Sequence, residues 1–499
     1  MSLLTLLLTY TNKKLTRTTL PKKRKRSITL FKVSLLIYIL QVLGGHTIIY
    51  AQSDLTFQLS ALTTGGDELP FWFYQQQYGI VDKSSGNVLT DLNYSTVFYT
   101  KGMFSISGNS QFLARASSHS TVTINKLNVR ASLSKFLLNI GRFDDPLGES
   151  YSSLSTGNMM ISRNTTPIPR VAVYTDGYVD IPGTYQIVSF KSMLAHGWFG
   201  KNRFTNNAYL HQKYFYLRLS YDWLSAFGGI IHNVQWSGVN KNLGKLPGDF
   251  NAFIEAAFAL GSSSSTAPSA EQSNAVGNSV AGYDFGLEFR LDKYRIDIQR
   301  MFYLEDKIST RFRSFPDGLW NLRIRSSKGP VREILYEHIQ TKRQDKFSFE
   351  PYGVASYYNH YAYRTGWTYQ GQVLGNSLIL TNGGLDRPIV NNILVAHHLG
   401  GIFDFKEGIT ARLKYTYSRN YGEVQDQIIE KYSDGGVLVA KLRPLGELKK
   451  INHSIYLKIS KELKQINGLV IGIQMAGDTS ELYGRNWGLG VSAMYSLDP

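Results

Sequence analysis

At 499 residues the chain is long enough for several soluble domains or for one large barrel. Its formal charge of +17 is front-loaded: of 54 Lys/Arg, nine lie in residues 1–51 with no acid among them, and the rest leaves 45 basic against 37 acidic residues, too mild a balance for a nucleic-acid footprint. The absence of cysteine excludes a disulfide framework, Cys-ligated zinc and thiol chemistry.

The first 51 residues read as a signal peptide. The basic cluster Lys22 to Arg26 precedes an apolar core over 33–43, too short to span a membrane, and Ala51 offers a small residue for cleavage before Gln52. The basic cluster alone would also suit nuclear import, but the apolar core directly behind it favours export. Residues 52–87 then read as an N-terminal periplasmic, partly helical segment. Within it, 55–61 is a weak strand, Asp67 a candidate N-cap and Gly79 a candidate stop. Pro70 to Tyr78 is an expected short amphipathic helix.

From Val88 to the end, strand patterns recur. Over 409–417, Ile409, Ala411, Leu413, Tyr415 and Tyr417 alternate with Thr410, Arg412, Lys414 and Thr416. The same holds for 285–291 and, after a tight turn at Asp292-Lys293, for 294–299. Successive strand residues face opposite sides, so each segment has one apolar and one wet face. Segments about ten residues long, repeated along an exported chain rich in Tyr (32), Phe (26) and Gly (45), are the pattern of a transmembrane β-barrel. The fold class expected is therefore all-β, a large antiparallel barrel over 88–499. Arg290, Arg295, Arg412 and Lys414 should face its lumen. Short turns at 292–293 and 407–408 alternate with long loops near 143–185, 236–280 and 382–396. The Ser-rich stretch from Gly261 is expected to be a flexible external loop. A β-sandwich enzyme also alternates, but meander-like hairpins and aromatics at strand ends favour the barrel.

Catalytic motifs are weak. Gly488-Leu-Gly490-Val-Ser-Ala493 resembles a dinucleotide fingerprint but lies inside the last strand with no helix after it. His397 and His398 would point to opposite faces of a strand, poor metal geometry. Asp144-Asp145 could be half of a carboxylate pair, yet reads first as a strand end entering a loop. No metal, cofactor or catalytic group is expected. Two stretches combine amides, aromatics, imidazole and cations: 206–213, with Tyr209, His211 and Lys213, and 358–367, with Tyr361, Arg364 and Trp367. Aromatics stack on sugar faces, while amides and cations meet hydroxyls and carboxylates, so such stretches suit an acidic polysaccharide. Girdle aromatics and lumen polar groups of any barrel would look the same, and composition alone favours that plainer account.

Several blocks in order resemble the capsule-assembly Wzi family of outer-membrane proteins. They are Glu68-Leu-Pro-Phe-Trp72, Thr166-Pro-Ile-Pro-Arg170, His196-Gly-Trp-Phe199, Asn207-Ala-Tyr-Leu-His211, His232-Asn-Val-Gln-Trp236, Arg311 to Trp320, Tyr361 to Asn376 and Ser418-Arg-Asn-Tyr-Gly422. The resemblance implies a monomeric, eighteen-stranded barrel with a periplasmic helical element. It also implies a lectin-like, non-catalytic role: holding capsular or other extracellular polysaccharide at the surface of a Gram-negative cell. Two features depart from the pattern: room for only one short helix, and an end at Ser-Leu-Asp-Pro499 instead of an aromatic. Besides polysaccharide, the expected partners are outer-membrane lipid and the barrel-assembly machinery, with no nucleic acid. Expected contact residues are Tyr209, His211, Trp236, Tyr361, Arg364 and Trp367. A passive sugar porin is the alternative; an outer-membrane hydrolase, needing a carboxylate pair or a Ser-His-acid cluster at one rim, is a third reading.

Overall fold

The computed structural model describes residues 53–144, 148–149, 152–273, 275–305, 314–344, 356–434 and 437–497; the expected leader lies outside them. Among these residues eighteen antiparallel strands follow in chain order: β1 (Ser53–Glu68), β2 (Ser84–Lys101), β3 (Phe104–Ala116), β4 (Thr121–Leu133), β5 (Phe136–Arg142) and β6 (Pro169–Thr175), then β7 (Val188–Gly200), β8 (Ala208–Tyr221), β9 (Leu224–Trp236), β10 (Asn278–Leu291), β11 (Tyr294–Leu304) and β12 (Gly318–Ser326), then β13 (Val331–Gln340), β14 (Leu394–Phe405), β15 (Ile409–Asn420), β16 (Lys450–Glu462), β17 (Leu469–Ser480) and β18 (Gly484–Leu497). Each pairs with its chain neighbours, and β1 pairs back with β18 from Leu55↔Leu497 to Thr64↔Gly488. Closure leaves no strand edge to present unpaired N–H and C=O groups to lipid.

The alternation sorts the side chains as expected. Phe215, Leu217, Leu219, Ile230, Phe285, Leu287, Ile473 and Val491 lie exposed on the outer wall. Arg290 and Arg295 turn inward to Glu288, and Lys414 lies inside, 4.4 Å from the Trp72 ring centroid. One end of the cylinder carries the two terminal strand ends and short connections such as 292–293 and 406–408, where Asp292 (φ 32°) and Gly408 (φ 71°) take left-handed backbone. The other carries the long connections 69–83, 143–168, 237–277, 341–393 and 421–449. We call these the turn end and the loop end.

Two boundaries differ from the sequence reading. The barrel begins at Ser53, not Val88, because β1 supplies the partner that both β2 and β18 need. The helix is also elsewhere. α1 (Phe71–Tyr74) is shorter than Pro70 to Tyr78, follows Pro70 and not an Asp67 cap, and belongs to the first loop-end connection rather than to a segment ahead of the barrel. Its four residues, Phe-Trp-Phe-Tyr, are all buried: too apolar for a water-exposed loop, they turn into the lumen.

That lumen is filled. One apolar cluster joins inward wall residues, from Leu62 on β1 through Tyr216 on β8 to Ala476 on β17, with α1, with Met159 and Met160 of the 143–168 connection, and with Tyr358 and Trp367 of the 341–393 connection. Wall glycines make the seats. A Cβ at Gly400 would stand 2.7 Å from Leu154 Cβ, and one at Gly282 would collide with the Met160 side chain.

Candidate functional site

The plug is pinned by buried polar groups. Phe71 donates its backbone N–H to Asp478 Oδ2 (2.8 Å), and Trp72 Nε1 donates to Thr416 Oγ1 (3.2 Å). His398 bridges wall and plug, with Nδ1 2.8 Å from Thr416 Oγ1 and Nε2 2.8 Å from the Leu154 carbonyl. Glu337 accepts from Ser155 Oγ (2.5 Å), Thr156 N (2.9 Å) and Thr156 Oγ1 (2.7 Å) of the plug and from Asn321 Nδ2 of the wall (3.4 Å), so a fully buried carboxylate is met by four donors. Near the turn end Glu149 of the plug pairs with Lys191 and Arg218. The two plug connections are joined: Trp367 Nε1 donates to the Met160 carbonyl (2.6 Å) and Asn376 Nδ2 to the Gly157 carbonyl (2.7 Å). The plug thus runs most of the length of the barrel.

Above it, at the loop end, lies a polar cleft of about 520 Å³. That volume lies within the range of small-molecule sites. Its walls come from Asp67-Glu68 at the end of β1, the 79–84 stretch after α1, the end of β3 with the β3–β4 connection, Thr165-Thr166 of the plug, and the 369–372 and 381–383 stretches. Asp82 is its hub. Its carboxylate accepts from Ser84 N (2.9 Å) and Ser117 Oγ (3.0 Å), with His119 Nδ1 at 2.9 Å and Arg115 Nη2 at 3.9 Å. Burial pushes the Asp82 carboxyl up, but Ser84, Ser117, His119 and Arg115 together outweigh it and hold it below the usual carboxylate range. Arg115 is fixed in turn by the Ile80 (2.8 Å) and His119 (3.0 Å) carbonyls. Lys83, Gln372 and Asn382 complete a lining of cations, amides and carboxylates. Such a surface can hold a hydroxyl-rich, charged chain by many hydrogen bonds. No single stretch of sequence outlined it, because its residues come from six separate segments.

The six expected contact residues divide into two groups that do not meet at this cleft. Tyr209, His211 and Trp236 are on the outward face of β8 and β9, with Tyr209 and Trp236 rings 5.1 Å apart. They are covered by α2 (Phe250–Ala257) of the 237–277 connection, which Asp249 caps through Ala252 N (2.9 Å). Trp236, Val234, Ala252, Ala256 and Val276 form a small core outside the barrel, and Phe253 lies 5.2 Å from the His211 ring. The Ser-rich stretch behind α2 folds back onto that helix: Ser263 N (2.8 Å) and Oγ (2.5 Å) donate to Glu255 Oε1. Tyr361, Arg364 and Trp367 belong to the 341–393 connection. Trp367 is fully buried in the plug, Arg364 makes a two-toothed pair with Asp386 (2.7 and 2.8 Å), and Tyr361 alone is exposed, at 45%.

No family model and no curated protein matches the chain. Solved structures do. The chain is similar to Wzi of Escherichia coli, described as an outer-membrane protein involved in group 1 capsule assembly and a carbohydrate-binding β-barrel, at 13% identity and TM-score 0.54, over 96% of this chain and 90% of that one. It is more distantly similar to OpdL (10%, TM-score 0.45, 90% and 99% covered) and OccD3 (9%, TM-score 0.46, 91% and 93% covered) of Pseudomonas aeruginosa. The likeness to the Wzi structure is one of fold: a Wzi-like, closed outer-membrane barrel.

Proposed function

We propose that this protein retains an extracellular polysaccharide at the outer surface of a Gram-negative outer membrane, by binding and without catalysis. The turn end faces the periplasm and the loop end the exterior, as short turns and long loops are disposed in such barrels. The observation that carries the reading is the plug. A lumen filled by a continuous apolar core is ill-suited to passing sugars, and it supports a rigid polar cleft at the exposed end. The carbohydrate binding described for the Wzi barrel supports the same reading. In this mechanism Lys83, Arg115 and His119 meet carboxylates of the polymer, while Gln372 and Asn382 meet its hydroxyls. Each contact is weak, and repetition along the chain supplies retention.

The test is direct. The purified barrel, titrated with acidic capsular polysaccharide fractions of graded length, is expected to bind longer fractions more tightly. In planar bilayers it is expected to give no sugar-permeable conductance. Open channels together with absent polysaccharide binding would replace this reading with that of a sugar porin.

A further inference from the structure

A second charged cluster lies on the outside of the barrel, where neither plug nor cleft reaches it. One cross-strand row on the outward face runs His338 (β13), His397 (β14), Tyr417 (β15), His453 (β16), each the register partner of the next. Arg419 stands two residues from Tyr417 on the same face, and all five lie near the loop-side ends of their strands. The His338 and His397 rings are 4.8 Å apart, and those of Tyr417 and His453 5.1 Å apart. Two imidazoles are held by phenols: the Tyr336 hydroxyl is 2.9 Å from His397 Nδ1, and the Tyr415 hydroxyl 2.9 Å from His453 Nδ1. A hydroxyl that donates to Nδ1 leaves the remaining ring N–H on Nε2, as a donor.

Among the described residues His338, His397, His453 and Arg419 make no ion pair, and the nearest strand-end carboxylate, Glu481, accepts from the Ile451 backbone N–H (2.6 Å). Of the carboxylates on these strands, Glu333 turns inward to Arg323, Glu337 to the plug and Asp404 to Thr410 and Arg332, while Glu462 lies at the far, turn end of β16. Among the described residues Arg419 has no ion pair, and its Nε has no hydrogen-bond partner. A guanidinium on a lipid-facing wall is costly unless something outside the protein compensates it. At the loop-side edge of the apolar wall, the anions at hand are lipid headgroups.

We propose that this patch is a binding site for the phosphate headgroup of a lipid in the leaflet at the loop end. Arg419 supplies the charge, His397 and His453 donate through Nε2, and the tyrosine rings pack against the upper part of the lipid. The site ties the barrel to its surrounding leaflet and is separate from the cleft, so its failure would leave the polysaccharide reading untouched.

The experiment uses the full barrel in dodecyl maltoside, with native mass spectrometry and titration against lipid A, dephosphorylated lipid A and inorganic phosphate. Lipid A is expected to be retained and its dephosphorylated form not. The double variant R419Q/H453Q is expected to bind lipid A about tenfold more weakly, the scale of a lost hydrogen bond to a charged group. Lys461→Gln, the same kind of charge change on β16 at the turn end, is expected to bind as the wild type. Each variant is first checked for heat-modifiable gel migration, and if the double variant misfolds, H453Q at its exposed ring carries the test. Equal retention of dephosphorylated lipid A, unchanged binding by the folded variant, an equal loss in K461Q, or inorganic phosphate bound as tightly as lipid A would each overturn the proposal.

Discussion

Trp367 is the residue whose role moved furthest between sequence and structure. An aromatic beside Arg364 and Tyr361 looked like a sugar platform; buried with its indole N–H on Met160, it is a plug anchor. Trp367→Ala is expected to cost about 3–5 kcal/mol, read as an earlier urea midpoint of the folded barrel. Asp82 has the opposite history, unremarkable in sequence and the hub of the cleft in space. Its carboxyl is held low, so its contribution to order in the cleft is present above the ordinary carboxylate range and is lost as pH falls through the lowered value. Asp82→Asn is expected to weaken polysaccharide binding about tenfold at neutral pH, by titration, and to flatten that acid limb. Glu271, in the short helix α3 (Ser269–Ser273), runs the other way. Burial pushes its carboxyl up to about 7 against an opposing hydrogen bond from Gly277. The folded segment keeps a proton that the unfolded one releases, so its stability is full at acid pH and declines as pH rises through about 7. Hydrogen exchange over 262–273, corrected for intrinsic rate, is expected to be faster at pH 8 than at pH 6, and Glu271→Gln to remove the difference.

At the level of elements, the strands were legible and the connections were not. The alternation in 285–291, 294–299 and 409–417 reports a face in water or lipid against a face in polar contact, a local property that needs no partner to be read. Connections lack such a period. The 237–277 stretch, Ser-rich and apparently loose, forms α2 and lies on the outer wall because Trp236 and Val234 offer it an apolar seat. The 69–83 stretch turns into the lumen because Phe71 to Tyr74 have more to gain there than in solvent. The plug's fit can be tested at its glycine seats. Gly400→Leu, which must displace Leu154, is expected to destabilise the barrel by about 1–3 kcal/mol and to produce conductance steps absent from the wild type in planar bilayers.

For the whole molecule, the sequence by itself determined the class: an all-β antiparallel barrel with an apolar outer band, and with Arg290, Arg295 and Lys414 turned inward. Those features follow from residue order along each strand and from the membrane's intolerance of unpaired backbone and exposed charge. What the tertiary structure decided was where the barrel begins, that loop-end connections fold into its lumen, and which side chains share a surface. Tyr209, His211 and Trp236 were expected to share one binding role with Tyr361 and Arg364, yet the wall puts the first three outside and the other two on the 341–393 connection. The cleft around Asp82 joins segments up to some three hundred residues apart in the chain. Closing the cylinder sets which loop lies over which strand, and that juxtaposition has no signature in any one stretch of the chain.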